Sequence, residues 1–246
     1  MNEVLRAVVE AANLAPTADN SAPWRFQAGN DALTIMAKQA EPVERTRRRL
    51  DWISLGCAVE SACIRLTRFG LAGELHLGDA NAAPRATILW STASSVRQDP
   101  LDLWLSARHS NRSLIYKGPA LDREQCASME GEALKVSGSV LTWLDEPDRR
   151  KAAVGLIQKA EQLRFSKREL HEELYSAVQF NAGWRSSCET GIPPGALGAL
   201  LPERAGFKAL KRWQLQRLAN CVGAHRMLGL RSAGLPARWT PHLLAI

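Results

Sequence analysis

The stretch LDWISLGCAVESACIRLTRFGL, Leu50–Leu71, is apolar around most of a helical circumference and carries small residues at Gly56, Ala58, Ser61 and Ala62. A helix that is apolar on nearly every side must be wrapped by other elements, and small side chains let a neighbouring backbone come close. The pattern therefore predicts a central buried helix, and the flanking chain supplies what could wrap it. Upstream, Val4, Leu5, Val8, Val9 and Ala12 repeat at helical spacing until Pro16, which disfavours helical geometry in the residue before it. RFQAG and ALTIMA (Ala32–Ala37) flank the turn signal Gly29-Asn30-Asp31 and read as a hairpin or two neighbouring strands. Downstream, GELHLG and RATILWS (Arg85–Ser91) alternate as strands, the second apolar enough for a sheet interior. Residues 1–95 are thus expected to form one α+β unit.

A polar stretch with Ser94, Ser95, Gln98, Asp99 and Pro100 then reads as a linker, and LDLWLSARHSNRSLIY opens a second, helix-led unit spanning 96–246. The order of elements restarts there: a helix at Asp122–Ala133, a strand at Ser139–Leu144, and a helix at Pro147–Leu163 that begins favourably with Asp145-Glu146-Pro147. Lys167–Val178 and Trp213–Leu228 read as helices separated by the Gly/Pro-rich loop TGIPPGALGALLP. The tail LPARWTPHLLAI ends in what reads as the start of a strand.

With 46% apolar and 23% charged residues in 246, the chain has the proportions of a soluble globular protein, either one large domain or two closely packed repeats. An excess of seven basic residues draws anions such as phosphates, nucleotides or nucleic acid to the surface. Nucleic-acid binding asks for basic residues interleaved with aromatics, and only RTRRR (Arg45–Arg49) comes close; it reads first as a solvated approach to the following helix. Cys57, Cys63, Cys126, Cys188 and Cys221 show no ligand spacing, which favours reduced, mostly buried thiols. The N-terminus lacks the basic start of a signal peptide, no apolar run approaches the ~20 residues of a membrane span, and a cytoplasmic location is expected.

Two constellations carry chemistry. ARHSNR crowds Arg108, His109, Ser110 and Arg112 into five residues, the mixture of planar cationic and neutral donors that a phosphate monoester takes. A solvated helix end with basic residues near its dipole explains the same residues, and both readings stand. In APTADNSAPWRF, Thr17, Asp19, Asn20 and Ser21 offer hydrogen-bonding groups suited to a neutral, planar, heteroatom-rich ligand. Taken alone, an ordinary turn with Trp24 and Phe26 as core anchors is the simpler account. Glycine-rich phosphate loops and GxSxG are absent from the sequence, His76, His171, His225 and His242 lack metal-ligand spacing, and Asp145, Glu146 and Asp148 read as helix-start charges rather than a catalytic acid pair.

Together the two segments resemble the nitroreductase-type flavoproteins. APTADNSAPWRF is similar to that family's A-P-S-x-x-N-x-Q-P-W-x-F segment, and RHSNRSLIY to its R-[RH]-S-x-[RK]-x-F/Y segment. The helix GCAVESACIRLTRFGLAGEL resembles its G-x-A-x-x-N-x-x-L-x-A-x-x-x-G-L helix, with Glu60 where an Asn or Gln often stands. Ala18 and Ala22 replace the usual Ser and Gln. The order differs from ordinary members, in which the R-x-S segment comes first and FMN lies at a homodimer interface. Here Arg108 follows Asn20 by 88 residues, an order similar to the two-repeat, Acg-type branch, whose TGIPPGALG-like stretch is echoed at Thr190–Gly198.

The resemblance implies an α+β nitroreductase-like fold: a mixed or antiparallel sheet with flanking helices, one full repeat and a partial second one. It implies one FMN per chain, its phosphate held by Arg108, His109, Ser110 and Arg112 and its isoalloxazine faced by Pro16, Thr17 and Asn20, so that Asn20 and Arg108 share a cavity across the repeat boundary. Beyond HLLAI the second repeat lacks the strand and buried helix of the first, which points to a fragment, a degenerate repeat, or a homodimer that completes it. The implied activity is electron transfer from NADH or NADPH through FMN to a nitro or quinone-type acceptor. No catalytic side chain is implied, because in this family main-chain and polar groups tune the flavin. A non-catalytic FMN-binding or storage protein, with Lys167–Val178 and the ETGIPPG loop as a lid, is the alternative, and a basic nucleic-acid-binding module the remote one.

Overall fold

Residues Val8, Ala11 and Ala12 lie on one face of the first helix, α1 (Glu3–Asn13), and all three are buried. A computed structural model describes residues 3–38, 45–79, 85–116, 118–185 and 187–246. They divide into two units, Met1–Asn111 with Glu189–Gly191, and Arg112–Cys188 with Ile192–Ile246.

In the first unit, α1 is followed by β1 (Trp24–Gly29) and β2 (Ala32–Ala37), then α2 (Arg45–Thr67), β3 (Leu71–Leu77) and β4 (Arg85–Thr92). The four strands form one antiparallel sheet in the order β1-β2-β4-β3. The expected hairpin is present, with Gly29 opposite Ala32 and Asp31 at φ 50° in its turn. Leu33, Ile35, Ala86, Ile88 and Trp90 alternate onto one sheet face and pack with Val8, Ala12, Leu55, Ala58, Ala62 and Leu66 of the two helices. Burial of each large member contributes about 1.5–3 kcal/mol relative to exposure.

The helix α2 is the expected core helix with two corrections. It begins at Arg45, so the basic run is its own first turns rather than an approach to it, although the side chains of residues 45–48 lie outside the described part. It is also less thoroughly buried than its composition suggests. Ile53, Gly56 and Glu60, spaced three and four apart, form an exposed stripe. The buried hydroxyls on the covered side are satisfied within the helix, Ser54 Oγ donating to the Leu50 carbonyl and Ser61 Oγ to that of Cys57.

The division drawn at residue 95 falls inside the first unit. Pro100–Trp104 form a short 3₁₀ turn fastened to α2: the Asp99 amide donates to Thr67 Oγ1 at 2.8 Å, and the buried Asp102 carboxylate lies 2.7 Å from Arg65 Nε. Ser94, Ser95 and Gln98 are exposed, as a linker's polar residues would be, but Asp99 and Asp102 tie the segment to α2. The thiols are also less covered than expected: Cys57, Cys63, Cys126 and Cys188 are half-buried and Cys221 is exposed.

The second unit is mainly helical: α3 (Arg123–Leu134), β5 (Thr142–Trp143), α4 (Pro147–Ser166), α5 (Arg168–Ala177), α6 (Glu203–Leu210), α7 (Trp213–Asn220), α8 (Ala224–Gly229), a π turn over Leu230–Gly234, α9 (Leu235–Trp239) and β6 (Leu244–Ala245). Asp122 and Gln125 make a reciprocal cap at the start of α3, and Glu146 accepts from the Asp148 and Arg149 amides to cap α4. The helix read over Trp213–Leu228 is broken after Asn220, because Gly223 adopts φ 87°, a left-handed geometry that ends a helix. Helix α6 was not foreseen. The strand read over Ser139–Leu144 shrinks to two residues paired with β6, and its neighbour Asp145 serves in a polar knot rather than at the helix start. Its carboxylate accepts from His242 Nδ1 at 2.5 Å and from the Leu243 amide at 2.9 Å, with Arg150 Nη1 at 3.1 Å. Among the described residues no helix is long and apolar enough to cross a membrane.

Candidate functional site

The turn after α1 is assembled by local chemistry and then strained. Leaving the helix, the chain tightens through Leu14 N–H to the Ala11 carbonyl and Ala15 N–H to the Ala12 carbonyl. Trp24, a buried core anchor, donates from its indole to Asn13 Oδ1 at 3.1 Å, which clasps the exit of the turn to the end of α1. Inside this clasp the Thr17 carbonyl accepts from Asn20 N–H, Ala18 from Ser21 N–H, and Thr17 Oγ1 from Ala22 N–H. Asp19, Asn20 and Ala22 take φ of 56°, 54° and 40°. Asn and Asp tolerate the left-handed region through local hydrogen bonds, but an alanine there is held against a cost of about 1–2 kcal/mol. Such strain concentrates at sites where a particular backbone shape is used. Ser21 Oγ is buried in the turn without a hydrogen-bond partner.

A third segment braces the turn from far along the chain. Asn20 Nδ2 donates to the Gly191 carbonyl at 3.0 Å and lies 3.5 Å from that of Glu189, while Gly191 N–H donates back to the Asn20 carbonyl at 3.0 Å. The Glu189–Gly191 part of the ETGIPPG loop therefore belongs to the first unit. The sequence flagged this loop and Asn20 separately; their pairing had no local signal.

Arg108 is brought to the same turn. Its amide donates to the Trp104 carbonyl, closing the turn that follows the 3₁₀ segment, and its Nη2 donates to the Leu14 carbonyl at 3.0 Å, two residues before Pro16. The charge also reaches α2: burial pushes the Cys57 thiol up, and Arg108 pulls it the other way. His109 Nδ1 donates to the Ala107 carbonyl at 3.1 Å, so its Nε2 is an acceptor unless the ring is protonated. Arg108, His109 and Ser110 are all exposed.

Arg108, His109 and Ser110 lie in the first unit with Pro16, Thr17 and Asn20, whereas Arg112 lies in the second. There the Arg112 carbonyl packs 3.0 Å from where a side chain on Gly198 would begin, and with φ at 64° that position accepts glycine for two reasons. Helix α5, the other part of the expected lid, packs within its own unit through His171 and Tyr175.

Arg108 and Ser110 put an anchored guanidinium and a hydroxyl on an exposed loop, donors of the kind an anionic group takes. Thr17 Oγ1 and the Asn20 amide are engaged in holding the turn, which leaves its main-chain groups to meet a ligand. Among the described residues no group of three or more His, Cys, Asp or Glu side chains converges as a metal site. No protein-family model and no curated protein matches the chain.

Proposed function

We propose that the chain is an FMN-dependent oxidoreductase of nitroreductase-like fold, passing electrons from NADH or NADPH to a nitro or quinone-type acceptor. The observation that carries this reading is the Arg108–Leu14 contact, which joins the phosphate-type segment to the ring-type turn across 94 residues of sequence. The four-stranded antiparallel sheet with α1 and α2 is compatible with the proposed fold. In this reading Arg108 orients the phosphate by bonds that its anchorage to Leu14 makes geometrically specific, and Ser110 supplies a neutral donor. His109 donates to the phosphate only when protonated. Pro16, Thr17 and Asn20 act by shape: their internal bonds keep main-chain groups presented to a ring edge. The flavin, when bound, supplies the hydride acceptance and delivery.

A second reading, a non-catalytic FMN holder, is favoured by the Gly191–Asn20 pairing, which places a loop on the turn that would meet the ring. Purification followed by an absorption spectrum, then anaerobic addition of NADH or NADPH, separates the two. Bleaching supports the enzyme; bound flavin that stays oxidised supports the holder. Arg108→Ala is expected to weaken FMN retention roughly tenfold or more, the loss of a charge-assisted contact. Unchanged retention overturns the phosphate assignment, and salt-sensitive nucleic-acid binding without flavin replaces both readings.

A further inference from the structure

The second unit contains an open cleft of about 400 Å³ beside the end of α5, within the size range of small-molecule sites. Its wall is aromatic. Tyr175 is buried, the Phe180 ring lies parallel to it with centroids 6.3 Å apart, and Phe207 packs against both. The Tyr175 hydroxyl donates to the Phe207 carbonyl at 3.3 Å, so the phenol already has its partner.

The wall is held in place by a buried group. His171 is fully buried, and its Nε2 donates to the Leu210 carbonyl at 2.8 Å, one residue before Lys211. That bond fastens the end of α6 to α5 and fixes where the Lys211 side chain starts. Two charged side chains line the cleft. Glu172 is paired with Arg168 at 2.8 Å, whereas Lys211 Nζ stands 5.3 Å from the Phe180 ring centre and meets no carboxylate among the described residues. Ser176, Val178, Gln179 and Asn181 complete the lining.

We propose that this cleft binds a planar aromatic carboxylate, with the ring against Phe180, which the buried Tyr175 backs, and the carboxylate at Lys211. A flat ring buries apolar area with few rotors to freeze, and the ammonium, now resting on an aromatic face, gains a full counter-charge. A bare phosphate would find one cation and no guanidinium fork. An aliphatic acid would leave the flat wall poorly used. The assignment is independent of the flavin reading, since every residue in it lies in the second unit.

The test uses the full chain with 1-naphthoate as probe and neutral 1-naphthamide as control, followed by saturation-transfer NMR and equilibrium dialysis. The expected result is saturable naphthoate binding about tenfold tighter than naphthamide, with that preference abolished in Lys211→Met. Phe180→Leu is expected to weaken both probes, and Arg108→Ala to leave both unchanged. Equal affinity for the two probes, no saturable binding, or loss of binding in Arg108→Ala rather than Lys211→Met overturns the proposal. Lys211 is exposed, and a circular-dichroism spectrum matching the parent chain confirms that Lys211→Met reports on the cleft.

Discussion

The two units hold themselves together by different means. The first buries a continuous apolar layer, in which two helices lie over one face of a four-stranded sheet and Leu33, Ile35, Leu66 and Ile88 are completely covered. In the second, the covered apolar side chains among the described residues are fewer and more scattered, Val154, Phe165, Tyr175, Val178 and Ile192 together with Pro193 and Pro194. Polar knots join its elements instead: Asp145 with His242 and Arg150, Glu203 with Arg231, and Gln216 with Asn220 and the Phe165 carbonyl. An apolar layer is insensitive to pH and intolerant of lost volume, whereas a charged knot has the opposite sensitivities.

The largest expected effect tests the apolar side of that contrast. Ile88→Ala removes a fully buried side chain from the sheet centre and is expected to cost about 3–4 kcal/mol. Peptide-resolved hydrogen exchange should show the loss across residues 24–92 and leave the peptides of α4 and α5 unchanged. Loss spread equally over both units would mean that they do not unfold separately.

A smaller effect is expected in the polar unit. Burial alone would raise the Asp145 carboxyl, but hydrogen bonds from His242 and the Leu243 amide, together with the His242 and Arg150 charges, bring it below the usual range. The Arg231 fork and the Leu200 amide do the same for Glu203. Depressed carboxyls bind fewer protons folded than unfolded, so their contribution is complete above the ordinary carboxyl range and is lost as pH falls through about 4 and below. Mild acid should therefore speed exchange in α4 and β5 before it does so in β2 and β4. Asp145→Asn should cost about 1 kcal/mol at neutral pH, discounted for its partial exposure, and remove part of that acid response.

The smallest expected effect is a gain. Ala22→Gly relieves the left-handed alanine of the turn and should stabilise the first unit by about 0.5–1 kcal/mol. A loss of that size would show that the alanine methyl, packed against the core cluster, outweighs its backbone strain.

Several elements were legible from local signals alone. The periodicity of Val4–Ala12, the Gly-Asn-Asp hairpin turn, the alternation in RATILWS and the Glu146-Pro147 helix start each correspond to an observed element. The exposed stripe of α2 was not readable, because Ile53 is apolar but its neighbours across the helix, not its own composition, decide what covers it. Strand Ser139–Leu144 has the right residue types, yet pairing needs a partner, and β6 offers two residues. At the candidate site the residue types were legible and the arrangement was not. Nothing local to Arg108 indicates Leu14, nothing near Asn20 indicates Gly191, and Lys211 carries no motif at all.

The bracing of Asn20 by Gly191 also has a consequence in time. During synthesis the chain emerges from its N-terminus, and the four strands and two α-helices of the first unit described above are complete by Thr92. The partner of Asn20 lies 171 residues further on. A contact of such long sequence separation is expensive in loop entropy and closes late. The sheet and its two helices can therefore assemble on the ribosome while the left-handed turn is still unbraced. The turn is the last piece of its own unit to be locked, and it is locked by a segment made well after the sheet and its helices.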